Sequence, residues 1–286
     1  MPFTNVWIST SIVVIFASSQ DHFSGFRMLN LFNRQAQLLN EDIIEWIFGC
    51  YVWALEQFDR NAFFNDAILV IPDNAHFPGR EQSIEGMANL ILDQVKKYAG
   101  VSHWHTRLIN QNDINCQVPI DPSVEIRDAL LENSVATEVP HTDATANQLQ
   151  LFYDPQQIND PEGLIAHFAH GLSYQLVASA KIPPPGGVDY MAEAGEVTGV
   201  FLGFGLMFAN TATVIRGGGC GGCSGKGPSR QVFLSEEEAA YALALFCVLK
   251  EIESKRAAPY LKKHLRRFFS FAVKDCERRK EKIQLT

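Results

Sequence analysis

The chain has 286 residues, 47% of them apolar and 20% charged, a balance that fits one large domain or two small ones around a sizeable core. A formal charge of −8 argues against nucleic acid as the main partner. The six cysteines are scattered, and four stand alone in apolar or mixed surroundings, which argues against a secreted disulfide framework and favours a reducing, cytoplasmic setting.

No run of about 18 uninterrupted apolar residues occurs, so a membrane-spanning helix is not expected. Ile8–Ala17 comes nearest and resembles a short signal core. No Lys or Arg precedes it, however, and the first basic residue is Arg27. Met28 is an alternative start, which leaves residues 1–27 as an extension outside the fold.

Glu41–Phe58 carries Ile43, Trp46, Ile47, Cys50 and Ala54 at helical spacing, and Asn40 is its predicted N-cap. Ala67–Ile71 is a β-branched run stopped by Pro72 and reads as a buried strand. Ser83–Tyr98 reads as a helix capped by Ser83, with Met87, Leu90, Ile91 and Val95 inward and Gly100 as its stop. In S-H-W-H-T, His103 and His105 would share one face of a strand; an exposed face and a metal pair are the two readings. Short strand-like pieces follow at Val124–Ile126, Thr137–Val139 and Gln148–Tyr153. This suggests an N-terminal α/β part over 28–120 and a mainly helical part over 121–286.

The central stretch is Leu164–Asn210. Asp160-Pro161-Glu162 is a helix entry: a capping side chain, a proline at the first turn and an acid that complements the dipole. The helix it opens bears His167 and His170. A Pro/Gly break at Ile182–Gly187 precedes a second helix, whose start carries Asp189, Glu193 and Glu196.

The pieces V-I-P-D-N-A-H-F-P-G, D-P-E-G-L-I-A-H-F-A-H, V-F-L-G-F-G-L-M-F-A-N-T-A and L-S-E-E-E-A-A-Y-A-L-A-L-F together resemble an uncharacterised bacterial group of zincin-like proteins. The resemblance runs from about Glu41 to Phe269. It implies an α+β, zincin-like fold, a zinc cofactor and a metallopeptidase-type H-E-x-x-H helix facing an acidic one. The chain departs from that pattern at its chemistry. Two histidines at i and i+4 put both rings on one helical face, with a glutamate beside the metal-bound water as general base. Aligned without a gap on His170, Ala166 stands at the first ligand and His167 at the base. With a one-residue deletion His167 becomes the first ligand, and the glutamate is absent. The E-x-x-x-D spacing expected on the second helix is filled by Ala192 and Glu196, with Glu193 one place late.

The candidate metal ligands are therefore His167, His170, Glu193 and Glu196, with Glu193 or Glu196 as the replacement base. Cys220 and Cys223, in a Gly-rich loop, form one C-x-x-C knuckle, half of a four-ligand zinc site. Cys247 reads as core. The loop departs from a phosphate-binding pattern, with Cys at 220 and Gly at 227 where Gly and Ser or Thr are needed. Ser235–Leu249 is a helix with a Ser235/Glu238 capping box, and Tyr260–Lys274 is amphipathic and basic with Phe268, Phe269 and Phe271 as core. Half of the 24 Lys and Arg fall between Lys250 and Lys282, a solvated face or a surface for an acidic protein partner. Three functions follow: a degenerate metallopeptidase-like domain acting by binding, a hydrolase with a remodelled His/Glu site, or an interaction protein using its basic C-terminal helices.

Overall fold

The computed structural model describes residues 38–113, 149–212 and 230–283. Residues 1–27, Cys116, the pieces at 124–126 and 137–139, and Cys220 and Cys223 lie outside them. The fold is α+β, mostly helical with one small parallel sheet.

Local capping sets the first helices. The Asn40 side chain accepts from Asp42 N and opens α1 (Glu41–Gln57). α1 buries more than one stripe: Ile47, Cys50 and Ala54 face the core, as do Phe48, Tyr51 and Trp53, while Ile43 and Trp46 are half-buried. α2 is the short turn Arg60–Asn65. Ala67–Ile71, expected as a strand, joins no sheet. Ala67 N donates back to Ala62 O of α2 and Val70 N to Gly203 O, both at 3.0 Å, so it packs as an extended segment against helical turns. Ser83 accepts from Gly86 N to start α3 (Ile84–Tyr98), and Val101 N returns to Lys96 O across Gly100, whose φ is +73°. Ile91 and Val95 are buried, with Met87 and Leu90 half-buried.

His103 and His105 are exposed and lie before the first strand, not in it. β1 (Thr106–Asn110) pairs in parallel with β2 (Leu149–Tyr153), from Thr106↔Leu149 to Asn110↔Tyr153. Asp160 then accepts from Gly163 N, Pro161 takes the first turn, and α4 (Pro161–Ser179) runs through the core, packing on α3, α5 and α6.

A 3₁₀ turn (Gly187–Tyr190) leads into α5 (Met191–Gly199), a π-helical turn (Val200–Phe204) and α6 (Gly205–Thr211). Gly203 breaks the run with φ +103°, and a Cβ there would stand 2.0 Å from Ile68 O. The stretch Gly187–Thr211 is long and apolar enough to cross a membrane by length and composition, yet 78% of its most apolar window is buried by the rest of the protein. α7 (Glu236–Leu249) starts with the Ser235/Glu238 capping box and is buried continuously from Ala239 to Cys247. A helix covered on all sides belongs at the centre of a core.

α8 (Ser254–Ala257) and α9 (Leu265–Arg279) close the described chain. Phe269 is buried and Phe268 half-buried, but Phe271 is 39% exposed, under the Arg267 guanidinium at 5.6 Å from its ring centre. Part of the basic run is spent inside the fold. Lys250 donates to the carbonyls of Phe63 and Phe64, Lys262 pairs with Glu236, and Arg279 pairs with Asp275 and Glu41. Lys263, Arg267 and Lys274 remain exposed. Helices from both sequence parts contribute to one hydrophobic cluster.

Candidate functional site

Three elements build the site: α4, the start of α5, and the extended segment Arg230–Leu234 ahead of α7. α4 and α5 approach closely because small residues line their crossing. A Cβ on Gly195 would come 3.2 Å from His170 Nε2, and one on Gly199 would come 3.4 Å from Ser173 Oγ. Ser173 fills the remaining space and donates to Gly195 O at 2.7 Å.

The two histidines share a helix but not a target. His167 Nε2 donates to Phe152 O on β2 at 2.6 Å. His170 Nε2 donates to Ala192 O on the first turn of α5 at 3.2 Å. In each case the acceptor is a carbonyl, so a neutral ring carries its proton on Nε2. Burial pushes the His167 pKa below the ordinary imidazole value; the nearby Arg230 charge adds to this and the Phe152 carbonyl opposes it.

Glu196 is fully buried, with an exposure of 0%. Its Oε1 is gripped by Arg230 Nη1, and its Oε2 accepts from Leu234 N at 2.8 Å. Burial pushes its pKa up, against the downward pull of Arg230 and the backbone donors of Leu234 and Phe233. The guanidinium is itself held on several sides: Nε donates to Thr211 Oγ1 at 2.7 Å, Nη1 to Gln231 O at 3.0 Å and Nη2 to Phe208 O at 3.3 Å. Its plane lies 5.0 Å from the Phe208 ring centre. Three residues on, the Phe233 ring lies 5.0 Å from that of His170. Residues 230–234 thus cover both the carboxylate and the second histidine.

No family model, curated protein or solved structure matches the chain. Among the described residues, the expected donors His167, His170 and Glu196 are engaged by other groups. The histidine rings are directed at two different carbonyls, and Glu196 is neutralised by a guanidinium. Among the described residues no three His, Cys, Asp or Glu side chains group as a metal would require. Glu193 is half-buried in the first turn of α5, where the helix dipole favours an acid.

Beside Arg230 opens a cleft of about 1030 Å³. It is lined by the loop from Pro72 to Arg80 with the adjoining face of α3, by Pro259–Arg266 and by the start of α4. Asn210 ties these parts together. Its Nδ2 donates to Glu162 Oε2 and Tyr260 O, both at 2.8 Å, and its Oδ1 accepts from Lys262 N at 3.0 Å.

Sequence reasoning overlooked Arg230, Phe233 and Asn210. A signal for the first did exist. Glu196 stands in the apolar run E-V-T-G-V-F, and a carboxylate buried there needs a cation that the run itself lacks.

Proposed function

We propose that the chain is a zincin-like domain that no longer catalyses and acts by binding. One observation carries this reading: the carboxylate of Glu196, one of the candidate metal ligands, is buried against Arg230. The guanidinium supplies the positive charge that the acid would otherwise take from a metal, and it is fixed there by bonds to Thr211, Gln231 and Phe208. The zincin-like part of the reading is supported by the order of elements: a strand, a tight turn, a histidine-bearing helix, then an acidic helix packed on it.

A remodelled hydrolytic site would need a base. Glu196 is committed to Arg230 and Leu234 N, which leaves Glu193. Without a metal to polarise a carbonyl and activate water, many orders of magnitude in rate are forfeited. The reading is tested by incubating the purified chain with a mixed peptide library, with and without added zinc, and counting new termini by mass spectrometry. No cleavage above the protein-free control is expected. Zinc-dependent, chelator-sensitive cleavage that Glu193→Gln abolishes would overturn the reading in favour of a hydrolase.

A further inference from the structure

We infer that the exposed line of α9 is a docking surface for an acidic protein segment. Its positive charge survives the pairing inside the fold. Between Leu261 and Ile283 the chain has nine Lys or Arg against three acids, within a molecule of net charge −8. Other helices bring two carboxylates to these cations: Glu236 of α7 pairs with Lys262 and His264, and Glu41 of α1 pairs with Arg279. Counting both still leaves the cations four in excess.

The helix gathers part of that excess on one face. Arg267, Phe271, Lys274 and Arg278 are exposed and stand four, three and four residues apart, so they follow one line along α9. The line is about 16 Å long, from the rise per residue of a helix. Arg267 and Lys274 have no hydrogen bond or ion pair among the described residues, and the Arg267 guanidinium lies over the Phe271 ring. Arg278 bonds to Asp275 at 2.8 Å, yet 66% of its side chain stays exposed. Asp275 is itself buried and also holds Arg279. The two exposed acids of the segment do not interrupt the line: Glu277 sits about a quarter turn off it, and Glu281 lies beyond the end of α9.

The chemistry of the line selects its occupant. Inside the fold, Lys262 and Arg279 already meet carboxylates carried by other elements, and the line offers the same ammonium and guanidinium groups outward. An acidic segment can set carboxylates at the same spacing and an apolar side chain against Phe271, which is 39% exposed in the middle of the line. A lipid surface fits less well. Interfacial helices bury a broad apolar face in the bilayer, whereas α9 spends Leu265, Phe269, Ala272, Val273 and Cys276 on the core and leaves one phenylalanine outside on this line. A polynucleotide would extend past the line onto a molecule that is acidic overall.

This inference rests on the binding role proposed above and gives it a partner class. The test titrates the full chain, at low ionic strength, into a fluorescent alanine-based helical peptide that carries glutamates and one leucine at the spacing of the line. Matched peptides with glutamine or lysine in place of glutamate, phosphatidylcholine vesicles containing phosphatidylserine, and a single-stranded oligonucleotide are run beside it. Zinc content is measured on the same preparation, so that failure to bind and failure of the non-catalytic reading show separately. The glutamate peptide should bind about tenfold or more tightly than the glutamine and lysine ones, and should weaken as salt is added. Arg267→Glu with Lys274→Glu should reduce that binding by about tenfold or more with little change in melting temperature, since both side chains are exposed. Lys97→Glu with Lys181→Glu makes the same change in net charge at exposed positions outside α9, and should leave binding within about twofold. If the first pair does not fold, Arg267→Gln with Lys274→Gln takes its place, with the matching glutamine pair at Lys97 and Lys181 as its control. The proposal is overturned if the glutamine peptide binds equally, if the two pairs of substitutions weaken binding alike, if vesicles or the oligonucleotide bind more tightly than the glutamate peptide, or if that peptide binds no tighter than about 1 mM.

Discussion

At the scale of single residues, Glu196 and Arg230 form a buried ion pair in the core. Both side chains are nearly inaccessible, and removing one partner strands a buried charge. Arg230→Met is expected to cost about 3–5 kcal/mol in urea unfolding, whereas Glu196→Leu combined with Arg230→Met should regain most of that loss. A double variant no better than the single one would show that the pair is not a closed electrostatic unit. His167 gives a second expectation, in pH. Its folded pKa lies below the reference of 6.5, so the ring is neutral in both states above that value. As pH falls below 6.5 the unfolded chain takes up the proton first, and stability declines until the folded pKa is passed. Replacing His167 by Gln should flatten this acid-side slope in the unfolding free energy. An unchanged slope would assign it to other groups. The apolar run around Glu196 signalled the need for a cation, but which groups set the states of His167 and Glu196 was not legible, because Phe152 and Arg230 lie 15 and 34 positions away.

At the scale of elements, what the sequence made legible was what neighbours decide. Asn40, Ser83, Asp160 and Ser235 each cap the helix they were expected to cap, because a capping bond spans only two or three residues. The departures depend on remote partners. Ala67–Ile71 has the composition of a strand, but the group available to it is the Gly203 carbonyl at a break in the α5–α6 run. Phe271 has the spacing of a core residue but lies on the solvent side of α9. The exposed fraction of the basic run could not be foreseen while Asp275, Glu236 and the Phe63 and Phe64 carbonyls were unplaced. The Gly203 break also gives a sharp test. A side chain there meets a strained φ and the Ile68 carbonyl together, so Gly203→Ala should cost about 2–6 kcal/mol, despite alanine's better helix propensity. A loss of under 1 kcal/mol, on the order of an ordinary surface change, would mean that the 67–71 segment does not lie against this turn.

At the scale of the whole molecule, the segment before α7 closes over the crossing of α4 and α5. Arg230 takes the carboxylate, Phe233 lies on His170, and the carbonyl of Ala192 receives the His170 proton where the spacing would put an acid. Restoring the motif by Ala166→His and His167→Glu should therefore fail to confer zinc binding. Ala166 has no exposed surface to give to an imidazole, and Glu196 would still be held by Arg230. The most direct test of the account is elemental analysis of the unmodified chain, purified without chelator and without a metal affinity step. The account predicts zinc far below one equivalent per chain. Stoichiometric zinc that His170→Ala removes would contradict it and make His170 a true ligand.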